Sequence, residues 1–256
     1  MITRKSPSEL DKMRKSGLLV YEILSELRKM VEVGVTTQDL EVVAEKMIRD
    51  AGARPAFKGY YVPAAGARYP FVLCTSVNHE IVHGMPSSKR VLKQGDIVKI
   101  DTGVELDGYF GDSAITVPVG EISESLRKLL RVTAESLELA IAQARPGNRL
   151  FDICGSVEKH VVGNGFSIVR EFVGHGIGTK LHEEPQVPNY VDRQNENPRL
   201  KEGMVLAIEP MVNEGKPGSK VLSDKWTAVT TDGRCSAHFE HVVAITAEGP
   251  WVLTRP

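Results

Sequence analysis

The chain has 256 residues, 41% apolar and 25% charged, and Lys+Arg 32 against Asp+Glu 33 gives a formal charge of -1. That balance offers no general attraction to nucleic acid or an anionic membrane, and no run approaches the ~18 uninterrupted apolar residues of a membrane span. Three cysteines without framework spacing (Cys74, Cys154, Cys235) and an N-terminus lacking an apolar signal core argue for a reducing compartment, so the expected location is cytoplasmic.

Leu10, Met13, Gly17, Val20, Leu24, Leu27 and Val31 recur at three-to-four spacing behind Ser6-Pro7, which predicts a helix over 7–31. Thr36-Thr37-Gln38-Asp39 opens a second helix with a capping-box pattern, and Ala51-Gly52 closes it. Residues 53–70, rich in Gly, Pro and Tyr, read as a loop whose three tyrosines suit a pocket wall or simply pack on one another. A strand is predicted over 71–77 and an irregular segment over 78–86.

The stretch 93–117, KQGDIVKIDTGVELDGYFGDSAITV, reads as two strands around the turn signal Leu106-Asp107-Gly108. If the loop is Asp107-Gly108, Asp101 pairs with Ala114 and Asp112 lies one diagonal away. If the loop runs from Glu105 to Gly108, Asp101 faces Asp112 directly. Either register puts both carboxylates on one face, because side chains alternate with period two. At ~4 Å and an effective dielectric of ~20, two such charges repel by on the order of 4 kcal/mol, so the pair must share a proton, bind a cation or be solvated.

Ser123 caps a third helix that runs to Ala144 and stops at Pro146-Gly147, and Asn148 is the expected cap of a fourth ending near Gly163. This helix pair repeats the first: Gly34, Asp39-Leu40, Glu45-Lys46 and Gly52 align with Gly147, Asp152-Ile153, Glu158-Lys159 and Gly165, at an offset of 113. Leu92 to Asp101 aligns with Leu200 to Glu209 at an offset of 108, and Asp112 is matched to Glu240 at 128, where each acid leads an apolar strand. The expected architecture is α+β: one domain over 1–256, built from two halves near 1–120 and 121–256. An approximate two-fold would relate the halves, and antiparallel sheets would be covered by two helix pairs.

Glycines flank His175 in Val173-Gly174-His175-Gly176-Ile177-Gly178, letting the backbone bend tightly around a ligand. His182-Glu183-Glu184-Pro185 follows, then polar loops over 186–199 and 213–223, and a final strand carrying Glu240. Four carboxylates and one imidazole make an oxygen-rich site for two divalent cations, suited to Mn²⁺, Fe²⁺ or Co²⁺, with Zn²⁺ also accommodated. Asp112 and Glu240, the repeat-related pair, are the bridging candidates, with Asp101 on one ion and Glu209 and His175 on the other. Such a pair acidifies a shared water and polarises a carbonyl, which is hydrolytic chemistry.

The set IDTG…GD…GHGIG…HEEP…IEP…FEH resembles type I methionine aminopeptidase of the pita-bread (creatinase/aminopeptidase) fold over nearly the whole chain. The resemblance implies metal ligands at Asp101, Asp112, His175, Glu209 and Glu240, with Asp112 and Glu240 bridging and Glu209 accepting the nucleophile's proton. It implies that His182 bonds the carbonyl oxygen as it becomes an oxyanion and that His83 contacts the scissile nitrogen or the next residue. Tyr60, Tyr69, Cys74 and Trp226 match positions lining the family's methionine pocket. Asn78 and Ser236 match residues near a monovalent-cation site. The implied substrate is the N-terminal methionine of nascent chains and peptides with a small second residue, cleaved by a monomer that can work at the ribosome. VPAAGAR between Tyr60 and Tyr69 looks inserted, Phe57 stands where a cysteine is common, and Leu181 where a phenylalanine is common. The 31 residues from Glu209 to Glu240 leave no room for the helical insert of type II enzymes, and no N-terminal extension is evident.

Three other readings compete. Prolidase and aminopeptidase P share the ligand pattern but normally carry a large N-terminal domain, and only 59 residues precede Tyr60. A non-catalytic pita-bread protein binding RNA or ribosomes should have lost ligands and carry a basic surface. A glycosidase using Asp101 and Asp112 would leave Glu209, Glu240 and His175 without a role.

Overall fold

The computed structural model describes residues 2–63 and 65–256; Ala64, inside the expected insertion, lies outside the described residues, as does Met1. The first helix, α1 (Pro7–Met30), begins where Glu9 reaches back to accept the Ser6 N–H at 2.7 Å. The second, α2 (Thr37–Asp50), is closed by a reciprocal box: Asp39 accepts the Thr36 N–H at 2.8 Å, and Thr36 Oγ1 accepts the Asp39 N–H at 3.2 Å. Ser123 caps α3 (Glu124–Gln143) through the Leu126 N–H at 3.3 Å. The cap of α4 (Leu150–Gly163) is Arg149 rather than Asn148. Asp152 accepts the Arg149 N–H at 2.7 Å from inside the helix, so the cap position needs no side-chain oxygen, while the Asn148 amide donates to Gln143 O at 3.0 Å.

The hairpin of strands Ile97–Leu106 and Tyr109–Pro118 is joined by the two-residue loop Asp107-Gly108. Both loop residues have positive φ (53° and 82°), the backbone twist that a tight antiparallel turn requires. Asp101 therefore pairs with Ala114 and Gly103 with Asp112, which is the first of the two expected registers. Strand Leu73–Val77 joins on the far side of Ile97–Leu106, with Cys74 opposite Asp101. In the second half, strand Val205–Ile208 takes the same central place, between Gly174–Gly176 and His241–Thr246. Strand Gly249–Val252, which sequence reading did not mark, completes this sheet beside Glu183–Val187 at the other edge.

Equivalent hydrogen bonds close each half. Gly34 N–H donates to Leu92 O at 3.0 Å and Leu92 N–H to Val35 O at 2.8 Å. At the repeat positions Gly147 donates to Leu200 O at 3.2 Å and Leu200 to Asn148 O at 2.8 Å. Single bridges Thr36↔Val91 and Arg149↔Arg199 match as well. The offsets 113 and 108 therefore hold. The third offset needs correction. Ile100 pairs with Ile115 and Ile208 with His241, and Ala114 bridges Glu240, so Glu240 is the counterpart of Ala114, at 126 rather than 128. A slip of two residues keeps the same face, so Asp112 and Glu240 still point into one space.

One apolar core lies under α1 and α2 (Val20, Ile23, Leu27, Leu40, Ile48) and another under α3 and α4 (Leu129, Leu137, Ile153, Val157, Val161). The start of α1 crosses the junction, packing Leu10 and Met13 with Ile177, Leu181 and Val205. Farther along, α1 rides on the hairpin: a Cβ at Gly111 would lie 2.7 Å from Ser16 C and 2.8 Å from Gly17 N, both backbone atoms. Gly111→Ala is thus expected to destabilise the fold by ~1–3 kcal/mol, the usual cost of overpacking. Thermal denaturation in chelator checks this; an unchanged melting temperature would mean α1 can lift off the hairpin freely.

Candidate active site

The two sheets deliver their acids to one space at the junction of the halves. Glu240 lies between strands Ser236–His238 and His241–Thr246, held against the hairpin by its own N–H on Ala114 O at 2.9 Å and by the Ser113 hydroxyl on its carbonyl at 2.5 Å. Glu209 follows Val205–Ile208 directly, and His175 is the middle residue of Gly174–Gly176. Ligand atoms of Asp112, His175 and Glu240 all lie within 4.8 Å of one another, and His175 Nε2 is 3.6 Å from Glu209 Oε1. All five expected ligands, Asp101 included, line a single cavity of about 500 Å³.

Burial dominates the electrostatics. It pushes the Asp101 carboxyl up to about 7. Asp112 is raised well above the usual range, first by burial and then by the charges of Asp101 and Glu209; Glu240 likewise, by burial and then by Asp112, Glu209 and Asp101. Burial and the Asp101 charge raise Glu209 in the same way. No Lys or Arg neutralises the cluster among the described residues. Asp101 Oδ1, Asp112 Oδ1 and Glu240 Oε1 are buried with no hydrogen-bond partner. Unpartnered buried carboxylate oxygens are costly, and this donor set fits hard divalent ions, which would take up those lone pairs. His175 completes the fit. Its Nδ1 is 2.8 Å from Gly176 O, which can only accept, so Nδ1 carries the proton and Nε2 offers its lone pair to the cavity. Burial holds this imidazole down to about 3, hence neutral.

The expected pocket residues line the same cavity. Tyr69 and Trp226 meet edge to face at 5.1 Å, and the Tyr69 hydroxyl is fixed on Leu73 O at 2.9 Å. Cys74 lies buried beside them. His182 stands 4.4 Å, ring to ring, from His175, with its Nδ1 2.7 Å from the Tyr60 hydroxyl. His83 packs edge-on to Phe172 at 5.3 Å; burial lowers His83 to about 4, and lowers His182 too. Of the three loop tyrosines, Tyr61 is not on the wall: it is 53% exposed, in a small hairpin with Ala67–Arg68. The extra residues of that loop do reach the cavity, through Val62 and Ala65. HEEP leads into the edge strand Glu183–Val187.

Three features escaped the sequence reading. Phe172 faces His83. Val221 and Leu222 close the cavity from the segment read as a plain loop, and Lys225 from just beyond it; there a short strand, Ser219–Val221, folds back on Ala228–Thr230. His238 is buried beside Glu209. Its only sequence signal was its place two residues before Glu240, on the same strand face.

The expected monovalent-cation position requires correction. Lys99, 1% exposed, donates its Nζ to Asn78 O at 2.7 Å and Ser236 O at 3.0 Å. The Lys99 amine thus takes up a carbonyl oxygen of each residue expected near the ion, and a monovalent cation there would have to compete with it. Burial pulls this amine down to about 7, opposed by Cys235, Glu80 and Asp96. Lys99→Met keeps the aliphatic stem and removes both bonds. It is expected to cost ~1.5–3 kcal/mol, read as a shift in denaturation midpoint. Replacing K⁺ by N-methylglucamine should leave the unmutated protein's melting temperature unchanged.

The profile of metallopeptidase family M24 matches residues 11–247. The chain is 51% identical over 255 residues to methionine aminopeptidase 1 of Bacillus subtilis, with 100% of both chains covered. It is 47% identical to the methionine aminopeptidase of Aquifex aeolicus, covering 98% of this chain and 97% of that one. The fold superposes on the crystal structure of a methionine aminopeptidase from Thermotoga maritima with a TM-score of 0.95, at 44% identity and full coverage of both. A prolidase from Pyrococcus furiosus shares the fold alone, at 23% identity and a TM-score of 0.75, with this chain covering 65% of it.

Proposed function

The chain belongs to metallopeptidase family M24, and from that premise we propose that its five converging side chains hold two divalent ions over a pocket for the side chain of an N-terminal methionine. It is a metallo-exopeptidase of the pita-bread fold, and it removes the N-terminal methionine of polypeptides. The observation that carries the reading is the meeting of Asp112, His175 and Glu240 within 4.8 Å, at a cavity also lined by Tyr69, Cys74 and Trp226.

Asp112 and Glu240 would contact both ions, Asp101 would complete one, and Glu209 with His175 the other. Bound there, the ions neutralise the cage, acidify water and polarise the carbonyl. The protein's own groups do the rest. Glu209 accepts the proton that the attacking water sheds and passes it to the leaving amine. His182 meets the developing oxyanion. This role requires the Tyr60 hydroxyl, 2.7 Å from Nδ1, to donate to it, so that the ring's proton sits on Nε2 and can be donated to the carbonyl oxygen. His83 contacts the scissile nitrogen or the residue beyond it. With Phe172 packed on its ring, it crowds that side and limits the second residue to small side chains. Tyr60, Tyr69, Cys74 and Trp226 enclose the methionine side chain, and the apolar walls keep bulk water off the reacting bond.

The metals are Mn²⁺, Fe²⁺, Co²⁺ or Zn²⁺, and the whole chain works as one catalytic unit. We place it in the cytoplasm as a monomer acting on nascent chains near the ribosome. Its near-neutral charge and unpaired cysteines support that placement.

Apo-protein reconstituted with Mn²⁺, Co²⁺ or Fe²⁺ under anaerobic conditions is expected to release methionine from Met-Ala-Ser and to leave x-Pro peptides intact. No turnover with any of these ions would overturn the reading, and preferential x-Pro cleavage would replace it by a prolidase one. Anaerobic purification and metal analysis would name the ion.

A further inference from the structure

His238 belongs to no expected ligand set and lines no part of the methionine pocket. It is 1% exposed, and neither ring nitrogen has a hydrogen-bond partner. Its Nε2 lies 3.9 Å from Glu209 Oε2, while Oε1 of the same carboxylate is 3.6 Å from His175 Nε2. Glu209 thus stands between two imidazoles, one offering a lone pair and the other without an assigned task. The His238 backbone is pinned: its N–H donates to Thr116 Oγ1 at 2.9 Å, the Thr116 hydroxyl donates back to its carbonyl at 2.6 Å, and Met211 pairs with it in the strand. Only the ring can turn. A buried imidazole N–H with no acceptor costs ~1–3 kcal/mol, and the nearby acceptor with an obvious use for it is Glu209. Closing the gap by ~1 Å gives an ordinary N–H···O bond, and such bonds are often long before a site is loaded.

We propose that His238 is a positioning residue for Glu209: its Nε2–H donates to Oε2 and so keeps Oε1 on the His175 side, toward the metals and the attacking water. No proton is transferred in this role; the ring stays neutral and acts through the direction of one hydrogen bond. The inference deepens the peptidase reading, and it rests on Glu209 being both ligand and proton acceptor.

Two variants separate the N–H from the bulk of the ring. His238→Phe keeps a flat ring without a donor; His238→Gln supplies an amide N–H of similar reach. Mn²⁺ titration of apo-protein by calorimetry is expected to show binding ~10–100-fold weaker in the Phe variant, the usual loss when a group behind a ligand is removed. The kcat for Met-Ala-Ser should fall in the same range, with KM within about twofold. The Gln variant should recover both to within about threefold of the unmutated protein, given an intact donor. A Phe variant that binds Mn²⁺ and turns over like the unmutated protein overturns the proposal, and so does a Gln variant as impaired as Phe. If the Phe variant does not fold, ¹⁵N-histidine spectra of the Zn²⁺-loaded unmutated protein decide: a proton on Nε2 of His238 supports the bond, and a proton confined to Nδ1 removes it. If no protein in the series hydrolyses Met-Ala-Ser, the peptidase reading has failed, while the Mn²⁺ titrations still settle what His238 does for Glu209.

Discussion

Protein carrying Asp112→Asn is expected to hydrolyse Met-Ala-Ser at least ~10³-fold more slowly than the unmutated protein and yet, in chelator, to melt at a higher temperature. The loss follows from the proposed position: removing a group behind a ligand costs ~10–100-fold, and a side chain proposed to hold both ions should cost more. The gain follows from the acids themselves. Asp112 is 4% exposed, its Oδ1 has no partner, and burial together with Asp101 and Glu209 disfavours its charge. The amide keeps the shape and removes that charge. Breaking up buried like charges relieves the metal-free fold, and about 1 kcal/mol raises the melting temperature by ~2–4 °C in a chain of this size. Mn²⁺ should stabilise the unmutated protein strongly and the variant little. An inactive variant that melted lower in chelator would point to simple misfolding. One that kept both its activity and its response to Mn²⁺ would remove Asp112 from the bridge.

The second large effect is a change in how stability responds to pH when the ions are withdrawn. Asp101, Asp112, Glu209 and Glu240 hold their protons more tightly in the fold than in the unfolded chain, through burial first and then each other's charge. Groups raised in this way contribute stability that is full below their unfolded values and is lost as pH rises through the folded ones. Asp101 sets a marker at about 7. His83, His175 and His238, held down to about 4, 3 and 3 by burial, act in the opposite sense, but only below their unfolded value of 6.5. Lys99, brought down to about 7, also opposes, with one proton against as many as four. Between pH 6.5 and 8, metal-free protein should therefore lose melting temperature as pH rises, by roughly 5 °C or more, since about 1 kcal/mol moves it by 2–4 °C. With saturating Mn²⁺ the slope should reverse, because protons compete with the ions for the same oxygens. Scanning calorimetry with and without chelator reads both slopes. A metal-free protein whose melting temperature does not fall between pH 6.5 and 8 would mean the carboxylates are not caged together.

The helices were legible because their signals are local. Ser6-Pro7, the Thr36/Asp39 box and the three-to-four stripes name their own ends, and even at Arg149 the error was one residue. The hairpin was legible because Asp107-Gly108 marks its turn locally, although only the paired strands chose between the two registers that the turn allowed. The two-residue slip at Glu240 was not, because a period of two looks the same after such a shift and only the partner strand can tell. Lys99 sits in Ile-Val-Lys-Ile-Asp like any outward lysine of an alternating strand; its two carbonyls come from residues 21 and 137 positions away. The cavity wall beyond Tyr60 and Trp226 was hidden for the same reason. Irregular segments carry no period, so composition could not separate Tyr61, turned outward, from Tyr60 and Tyr69; only the resemblance to a known family did.

The bridge from Ala114 to Glu240 joins residues that the repeat makes equivalent, so the pseudo-axis passes through that contact. Two identical surfaces meeting across a dyad are what a homodimer presents. An ancestral half-chain would have carried one acid-bearing sheet and would have met its other sheet only in a second copy of itself. Fusion of two copies would then have freed each to diverge, so that one contributes the His175 imidazole where the other offers the Ser76 hydroxyl, and a symmetric cage would have acquired a direction along which a peptide can be read.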